Sequence, residues 1–190
     1  MLGREEIIYL LDKHRIPWKD WGRGSRKGLG DLVNSIKLGE TRLEAGSSKL
    51  ILHVRVAVVT VRFKLNGQWL ELREDRQEFI IDGKVSEIKR RTSFNGSLGE
   101  KIRRNESPIT TARRGLREEL GFPKNSGYKL SYNGLEIMKC ESSDWYSGLI
   151  DVYHRYHFVC LIPPELYRSK YTERYLHRTI YFEWTPISIP

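Results

Sequence analysis

The chain has 190 residues, of which 39% are apolar, enough for one globular domain with or without an extension. It carries 33 Lys and Arg against 24 Asp and Glu, a net charge of +9 that favours phosphate-bearing partners. No apolar run is long enough to span a membrane, and the N-terminus is too charged for a signal peptide. Cys140 and Cys160 form no metal-binding spacing and are typical of reduced thiols, so we expect a cytoplasmic protein with no membrane partner.

The first 46 residues predict a helical extension before the main domain. Amphipathic helices are expected over residues 4–13 and 29–37. Between them lies a segment rich in Trp, Gly and basic residues. Its Trp18 and Trp21 either clamp the segment onto a core or stack against nucleic-acid bases. We therefore predict an extension over residues 1–46 and a main domain over residues 47–190.

The following residues predict a series of strands. Residues 50–65 form the strongest candidate, whose apolar residues change phase midway, as in a bulged strand or one buried on both faces. Asn66-Gly67 is typical of a hairpin turn, and a second hairpin is expected at Asp82-Gly83. Three later segments are also predicted to form strands: residues 127–143, as one strand or as two with a break near Asn133-Gly134, residues 152–162, and residues 178–187.

A helix is predicted over residues 108–120, because Ser107 and Pro108 are typical of a helix start and Gly121 of a helix stop. At about 100° per residue, its apolar residues share one side that faces the core. A different side carries Glu118 and Glu119. Adjacent carboxylates of this kind are oxygen ligands that hard divalent cations prefer. The apolar set is Ile109, Ala112, Leu116 and Leu120, while Arg113 and Arg117 point away from the core.

Most of the excess positive charge surrounds this helix. Over residues 84–117 there are ten Lys and Arg and three Glu, a local charge of +7. Such a stretch either attracts phosphate groups or forms an ordinary solvated surface. Lys101, Arg103 and Arg104 are the candidate phosphate-binding residues.

The spacing around the helix resembles the Nudix box, the signature of the Nudix hydrolase family. Seven residues match its pattern in register, and two positions depart from it. Glu100 stands where the box has Gly, although Gly99 precedes it. Gly115 stands where the box has a Glu that the family uses for metal binding or base chemistry. The matching residues are Glu106, Arg114, Leu116, Glu118, Glu119, Gly121 and Phe122.

The resemblance covers about residues 50–188. It implies an α/β (α+β) fold with a mixed sheet sandwiched by helices, and hydrolysis of a diphosphate linked to another moiety, such as a nucleoside. Mg²⁺ or Mn²⁺ is the implied cofactor, held by Glu118, Glu119 and the backbone carbonyl of Gly99. Glu106 is expected to support the loop or reach a second ion. Arg114 is expected to orient Glu118 through an i to i+4 pair.

Gly115 leaves the function open, because it offers no oxygen ligand. An active enzyme needs a substitute carboxylate, for which the candidates are Glu100, Glu141, Asp144 and Asp151. A catalytically impaired module that binds a nucleotide or RNA is the alternative. A protein-interaction domain with Trp18, Trp21 and Trp145 as anchors is a third interpretation.

Overall fold

The structure is a computed structural model that describes residues 2–23, 27–46, 49–81, 84–90, 96–124, 126–143, 145–175 and 177–188. The predicted turn at Asp82-Gly83 and the candidate base Asp144 lie outside the described residues.

The described chain contains three α-helices, two short 3-10 helices (Trp18–Asp20 and Pro164–Leu166) and nine strands. The α-helices are α1 (Arg4–Lys13), α2 (Leu29–Leu38) and α3 (Pro108–Leu120), at the predicted places. The strands are β1 (Thr41–Ala45), β2 (Leu50–Leu65), β3 (Gln68–Ile81), β4 (Lys84–Arg90), β5 (Leu98–Lys101), β6 (Lys129–Cys140), β7 (Ile150–Leu161), β8 (Tyr171–Tyr175) and β9 (Arg178–Ile187). The α+β class and the mixed sheet expected from the sequence are confirmed. No helix in the described ranges has the length and apolar character needed to cross a membrane.

The chain forms two compact units. The first contains residues 1–56, 101–107 and 135–156, and the second contains residues 57–100, 108–134 and 157–190. Both therefore draw on separate stretches of sequence. The predicted extension, residues 1–46, falls in the first unit together with later segments, and the division after residue 46 stays a prediction.

The first unit packs α1, α2 and β1 around one apolar core. β1 pairs with β2 in antiparallel fashion, from Thr41 opposite Val54 to Ala45 opposite Leu50. Trp21 is buried in this core, and its indole nitrogen donates a hydrogen bond to the Ser147 carbonyl at 3.0 Å. The packing interpretation of Trp21 is therefore confirmed. Other core residues are Ile7, Leu11, Leu29, Leu32, Ile36, Leu43 and Leu52.

The strands that contribute residues to the second unit are hydrogen-bonded in the order β6-β7-β2-β3-β9-β8, with β4 added to β3 and β5 to β2. The β2–β3 hairpin turns at Asn66 and Gly67, whose φ angles of 49° and 84° suit the predicted turn. In the middle of β2, Val58 and Val59 are both buried, so the strand is covered on both faces there. β8 pairs antiparallel with β9 and ends the strand order.

One sequence-based expectation, the burial of Ile109, was wrong. Ile109 is 37% exposed, because it lies in the first turn of α3, where the apolar side of the helix has not yet reached the core. Ala112, Leu116 and Leu120 are buried as predicted. Of the two alternatives for residues 127–143, the structure has a single strand: β6 continues through Gly134, which adopts a φ of 112°.

Candidate active site

A pocket of about 430 Å³ lies in the second unit, between the last turn of α3 and strand β8. Four carboxylates line it: Glu118 and Glu119 from α3, Glu100 from β5, and Glu173 from β8. The fold therefore brings the acidic side chain of β8 next to those of β5 and α3, two elements that precede it far along the sequence. The other lining residues are Leu120, Gly121, Arg168, Thr172, Arg174 and Tyr175.

The end of α3 positions Glu118 and Glu119. Gly121 has a φ of 70°, a left-handed conformation that suits a glycine at a helix C-terminus. The Phe122 amide donates back to the Leu116 carbonyl at 3.2 Å and closes the helix end. Carboxylates in this last turn oppose the helix macrodipole. Helix stability therefore does not explain two adjacent glutamates there.

Arg114 is the basic residue that contacts two of the pocket carboxylates, Glu100 and Glu118. It is only 5% exposed, and its Nη1 donates to Glu100 Oε1 at 2.5 Å and to Glu118 Oε2 at 3.3 Å. The second contact is the i to i+4 pair that the sequence predicts. One guanidinium thus compensates two of the four pocket carboxylates. Arg117 approaches Glu118 from the solvent side, at 3.7 Å.

Gly115 allows β5 to lie close against α3. A Cβ atom at position 115 would come within 2.8 Å of Leu98 Cδ1 and 3.3 Å of Glu100 Cβ. Such distances require the neighbouring atoms to move. The Glu100 side chain therefore occupies space beside the helix where residue 115 has no side chain of its own. Of the substitute carboxylates suggested by the sequence, Glu100 is the one that lines this pocket.

The sequence analysis missed Glu173, a pocket carboxylate that is almost fully buried. It is 8% exposed, and its buried Oε2 has no hydrogen-bond partner in the described structure. Burial raises the pKa of Glu173, whereas the Tyr175 hydroxyl and the Arg178 charge act to lower it, and the negative charges of Glu100 and Glu118 raise it further. The available signal was the alternation in β8, where Tyr171 and Glu173 both point inward. An inward-facing glutamate on a short strand is therefore a candidate ligand-binding residue.

Glu119 has the most strongly perturbed carboxyl group of the site. Burial raises the pKa of Glu119 well above its usual range, and the charges of Glu173, Glu100 and Glu74 raise it further. Arg178 acts in the opposite direction. Negative charge therefore accumulates around Glu119 without full compensation, and a bound cation would relieve it.

The remaining predicted site residues have other surroundings. Gly99 is an exposed residue of β5, next to Glu100. Glu106 belongs to the first unit, where its Oε2 accepts a hydrogen bond from the Arg103 amide at 3.3 Å. This contact fits the predicted support of the loop. Glu141 is exposed and pairs with Lys139 at 2.7 Å.

The predicted phosphate-binding residues also belong to the first unit. Lys101 Nζ donates to Ser35 Oγ at 3.0 Å and lies 3.9 Å from Glu40 Oε2. Arg103 Nε lies 3.7 Å from Glu40 Oε1. The Arg104 amide donates to the Leu38 carbonyl at 3.0 Å. Their role in binding phosphate stays a prediction. The last substitute carboxylate, Asp151, is buried in the same unit.

The described ranges contain no group of three or more His, Cys, Asp or Glu side chains arranged to hold a metal ion by themselves. A hard cation such as Mg²⁺ often takes only one or two protein carboxylates and completes its shell with water and substrate phosphates. The buried, unpartnered Oε2 of Glu173 beside Glu119 fits a site of that open kind.

No family model matches the chain, and no curated protein matches it. Among solved structures, it is similar to a crystal structure of C. elegans Ap4A hydrolase, with 12% identity over 70% of this chain and 79% of that chain and a TM-score of 0.39. A binary complex of C. elegans Ap4A hydrolase gives 13% identity, the same coverage and the same TM-score. A likeness at this level carries no argument about function, so the function has to be inferred from the pocket.

Proposed function

We propose that this chain is a Nudix-type hydrolase that cleaves a nucleoside-diphosphate-linked compound with the help of a divalent cation. The observation that carries the proposal is the convergence of four carboxylates on one pocket, where a buried carboxylate oxygen of Glu173 has no hydrogen-bond partner among the residues that the structure describes. Unpaired buried carboxylates are costly to a fold. Their retention in a pocket is explained by a ligand that carries positive charge.

Glu118 and Glu119 are the residues proposed to hold the cation, with the Gly99 carbonyl as a further ligand. A Mg²⁺ or Mn²⁺ ion bound there supplies charge stabilisation to phosphate oxygens. Arg114 orients Glu118 through its contact at 3.3 Å and keeps Glu100 in place at 2.5 Å. The guanidinium thus holds the Glu100 and Glu118 carboxylates in place before a substrate binds.

Glu173 is the best candidate for the general base. A base works best when its pKa lies near the working pH, and burial raises the pKa of Glu173 towards that range. Its Oε2 is free to accept a proton from a water molecule that attacks phosphorus. As the new P–O bond forms, the bond to the leaving phosphate breaks. Glu100 is less suited, because the Arg114 guanidinium stabilises its charged form.

Chromatographic detection of the cleavage products, which are nucleotides, sugar phosphates or pyrophosphate, from a panel of compounds tests the proposal. The panel contains nucleoside triphosphates, ADP-ribose and Ap4A, the last because the similar solved structures are named for it. Each compound is assayed without metal, with Mg²⁺ and with Mn²⁺. We expect metal-dependent turnover that falls by at least about 100-fold in the Glu118→Gln/Glu119→Gln variant. Turnover that persists in this variant, or that needs no metal, contradicts the proposal.

A catalytically impaired module that binds a nucleotide or RNA is the second candidate. Gly115 and the engagement of Glu100 and Glu118 by Arg114 favour it, because both reduce the carboxylate available for catalysis. A folded protein that binds nucleotide but turns over no member of the panel supports this candidate. Binding that weakens steeply with salt concentration indicates RNA, because many phosphate contacts release many counterions.

A further inference from the structure

Two arginines line the acidic pocket from the side of β8. Arg168 follows the short 3-10 helix Pro164–Leu166, and Arg174 lies within β8. Both side chains are exposed. Within the described ranges, no carboxylate lies within ion-pair distance of either guanidinium. These two cations are therefore available to a ligand, and a guanidinium offers paired N–H donors that match phosphate oxygens.

An aromatic ring lies next to these arginines. Tyr175 lines the same pocket and is 47% exposed. The Arg178 guanidinium carbon lies 4.6 Å from the centroid of its ring, a cation–π contact that restricts the position of the ring. Exposed aromatic rings with restricted positions provide surfaces on which nucleobases stack. Tyr175 is thus placed to contact the base of a nucleotide whose phosphates reach the pocket.

The charges of the pocket specify how a phosphate group can enter. Carboxylates repel a phosphate unless a cation neutralises them, whereas Arg168 and Arg174 attract it directly. A diphosphate bound to a divalent cation satisfies both requirements: the cation faces Glu119 and the phosphate oxygens face the arginines. A monovalent cation or a free phosphate satisfies only one of them.

We propose that Arg168 and Arg174 bind the diphosphate of the ligand and that Tyr175 stacks against its base. The pocket accordingly takes a nucleoside diphosphate group in preference to an inorganic polyphosphate. This inference rests on the pocket of the proposed function, but it does not depend on turnover. It also transfers the phosphate-binding role from Lys101 and Arg103, which already pair with Glu40, to a part of the chain outside the Nudix-like motif.

The test measures binding of two analogues that cannot be hydrolysed at the bridging position. The first is α,β-methylene-ADP, which carries a base, and the second is methylenediphosphonate, which does not. Each is titrated calorimetrically into the full chain in the presence of Mg²⁺. We expect the Arg168→Gln/Arg174→Gln variant to bind both analogues at least about 10-fold more weakly, because both lose charge-assisted hydrogen bonds.

A Tyr175→Leu variant separates base recognition from phosphate recognition. We expect it to weaken the binding of α,β-methylene-ADP by about 5- to 20-fold, a range typical of the loss of one stacked base. Binding of methylenediphosphonate should stay within about twofold. The matched control is Lys101→Gln/Arg103→Gln, which removes two positive charges from the first unit and should change neither affinity by more than about twofold.

The outcomes distinguish this inference from the proposed function. Unchanged affinity in the Arg168→Gln/Arg174→Gln variant overturns the inference even if the wild-type chain hydrolyses the panel. The same is true if the control variant loses as much affinity as the arginine variant, or if the wild-type chain binds neither analogue. Conversely, base-selective binding without turnover supports the inference while the hydrolase proposal fails.

Discussion

Two charged regions of this molecule differ in how their charges are compensated. Around Glu40, in the first unit, two cations and a hydroxyl group meet one carboxylate: Lys101, Arg103 and Ser35 all contact it. In the pocket of the second unit, carboxylates outnumber their close cationic partners, and the buried Oε2 of Glu173 has no hydrogen-bond partner in the described structure.

The difference shows that local net charge alone does not identify a binding site. The stretch around the Nudix-like motif has a charge of +7, but two of its candidate phosphate-binding residues already contact a carboxylate. The pocket contains both signs of charge, yet it leaves carboxylates and guanidinium groups available to a ligand. Charges that lack partners in the folded chain are therefore the better guide to function.

Replacing Arg114 is expected to have the largest effect on stability, because the pocket depends on this one buried cation. The Arg114→Met change removes the guanidinium that Glu100 and Glu118 share. Because both carboxylates are partly exposed, we expect it to lower the free energy of unfolding by about 2–3 kcal/mol. Chemical denaturation measures the loss. Arg117→Met is the matched control, since Arg117 is exposed and contacts Glu118 only at 3.7 Å. Equal losses of unfolding free energy in the two variants would show that Arg114 contributes no more than an ordinary surface ion pair does.

Replacing Glu40 tests the compensated region. Its side chain is 14% exposed and that of Lys101 is 27% exposed, so solvent screens the pair only in part. We expect Glu40→Gln to lower the free energy of unfolding by about 1–2 kcal/mol, because two basic groups lose their common partner. Glu44→Gln, which removes an exposed pair with Arg42 and a contact of 3.3 Å with His53 Nε2, should cost less than about 0.5 kcal/mol. A cost for Glu40→Gln as small as that for Glu44→Gln would contradict the structural role assigned to the first region.

Gly115→Ala probes the pocket wall. The added Cβ would lie 2.8 Å from Leu98 Cδ1, and Leu98 is buried, so overpacking should outweigh the gain of about 1 kcal/mol in helix propensity. We expect a net loss of about 1 kcal/mol in thermal or chemical unfolding. Gly30→Ala in α2 is the control, because a Cβ there meets nothing within 4 Å and should stabilise the chain. Stabilisation by both changes would mean that the packing of β5 against α3 does not require a glycine at position 115.

Glu119→Gln should change stability in the opposite direction. The folded-state pKa of Glu119 is raised, so its ionisation costs folding free energy above that pKa, and the cost disappears as the pH falls below the unfolded-state value. Removing the charge should raise the free energy of unfolding at pH 8 by about 1 kcal/mol, which corresponds to a rise in Tm of roughly 2–4 °C. The gain should vanish near pH 4, where the wild-type carboxyl group is mostly protonated in both states. Mg²⁺ should stabilise the wild-type chain more than this variant. A lower Tm at pH 8 would show that the Glu119 carboxylate is already compensated.

The amino-acid sequence by itself determined the elements and part of the site. Local signals placed α3 at residues 108–120, β2 at residues 50–65 and the hairpin turn at Asn66-Gly67, because capping residues, apolar periodicity and turn chemistry act over a few neighbouring positions. The same short-range rules placed Glu118 and Glu119 together and paired Glu118 with Arg114, one helical turn away.

Only the tertiary structure decided which distant residues complete the pocket. Glu173 and Arg174 come from a five-residue strand, and strand pairing brings it beside α3 through contacts that no local pattern encodes. The exposure of Ile109 also depended on where the core begins along α3. Compensation of charge is decided in the same way: whether a lysine or glutamate is paired or available depends on partners supplied by the fold, as Glu40 does for Lys101.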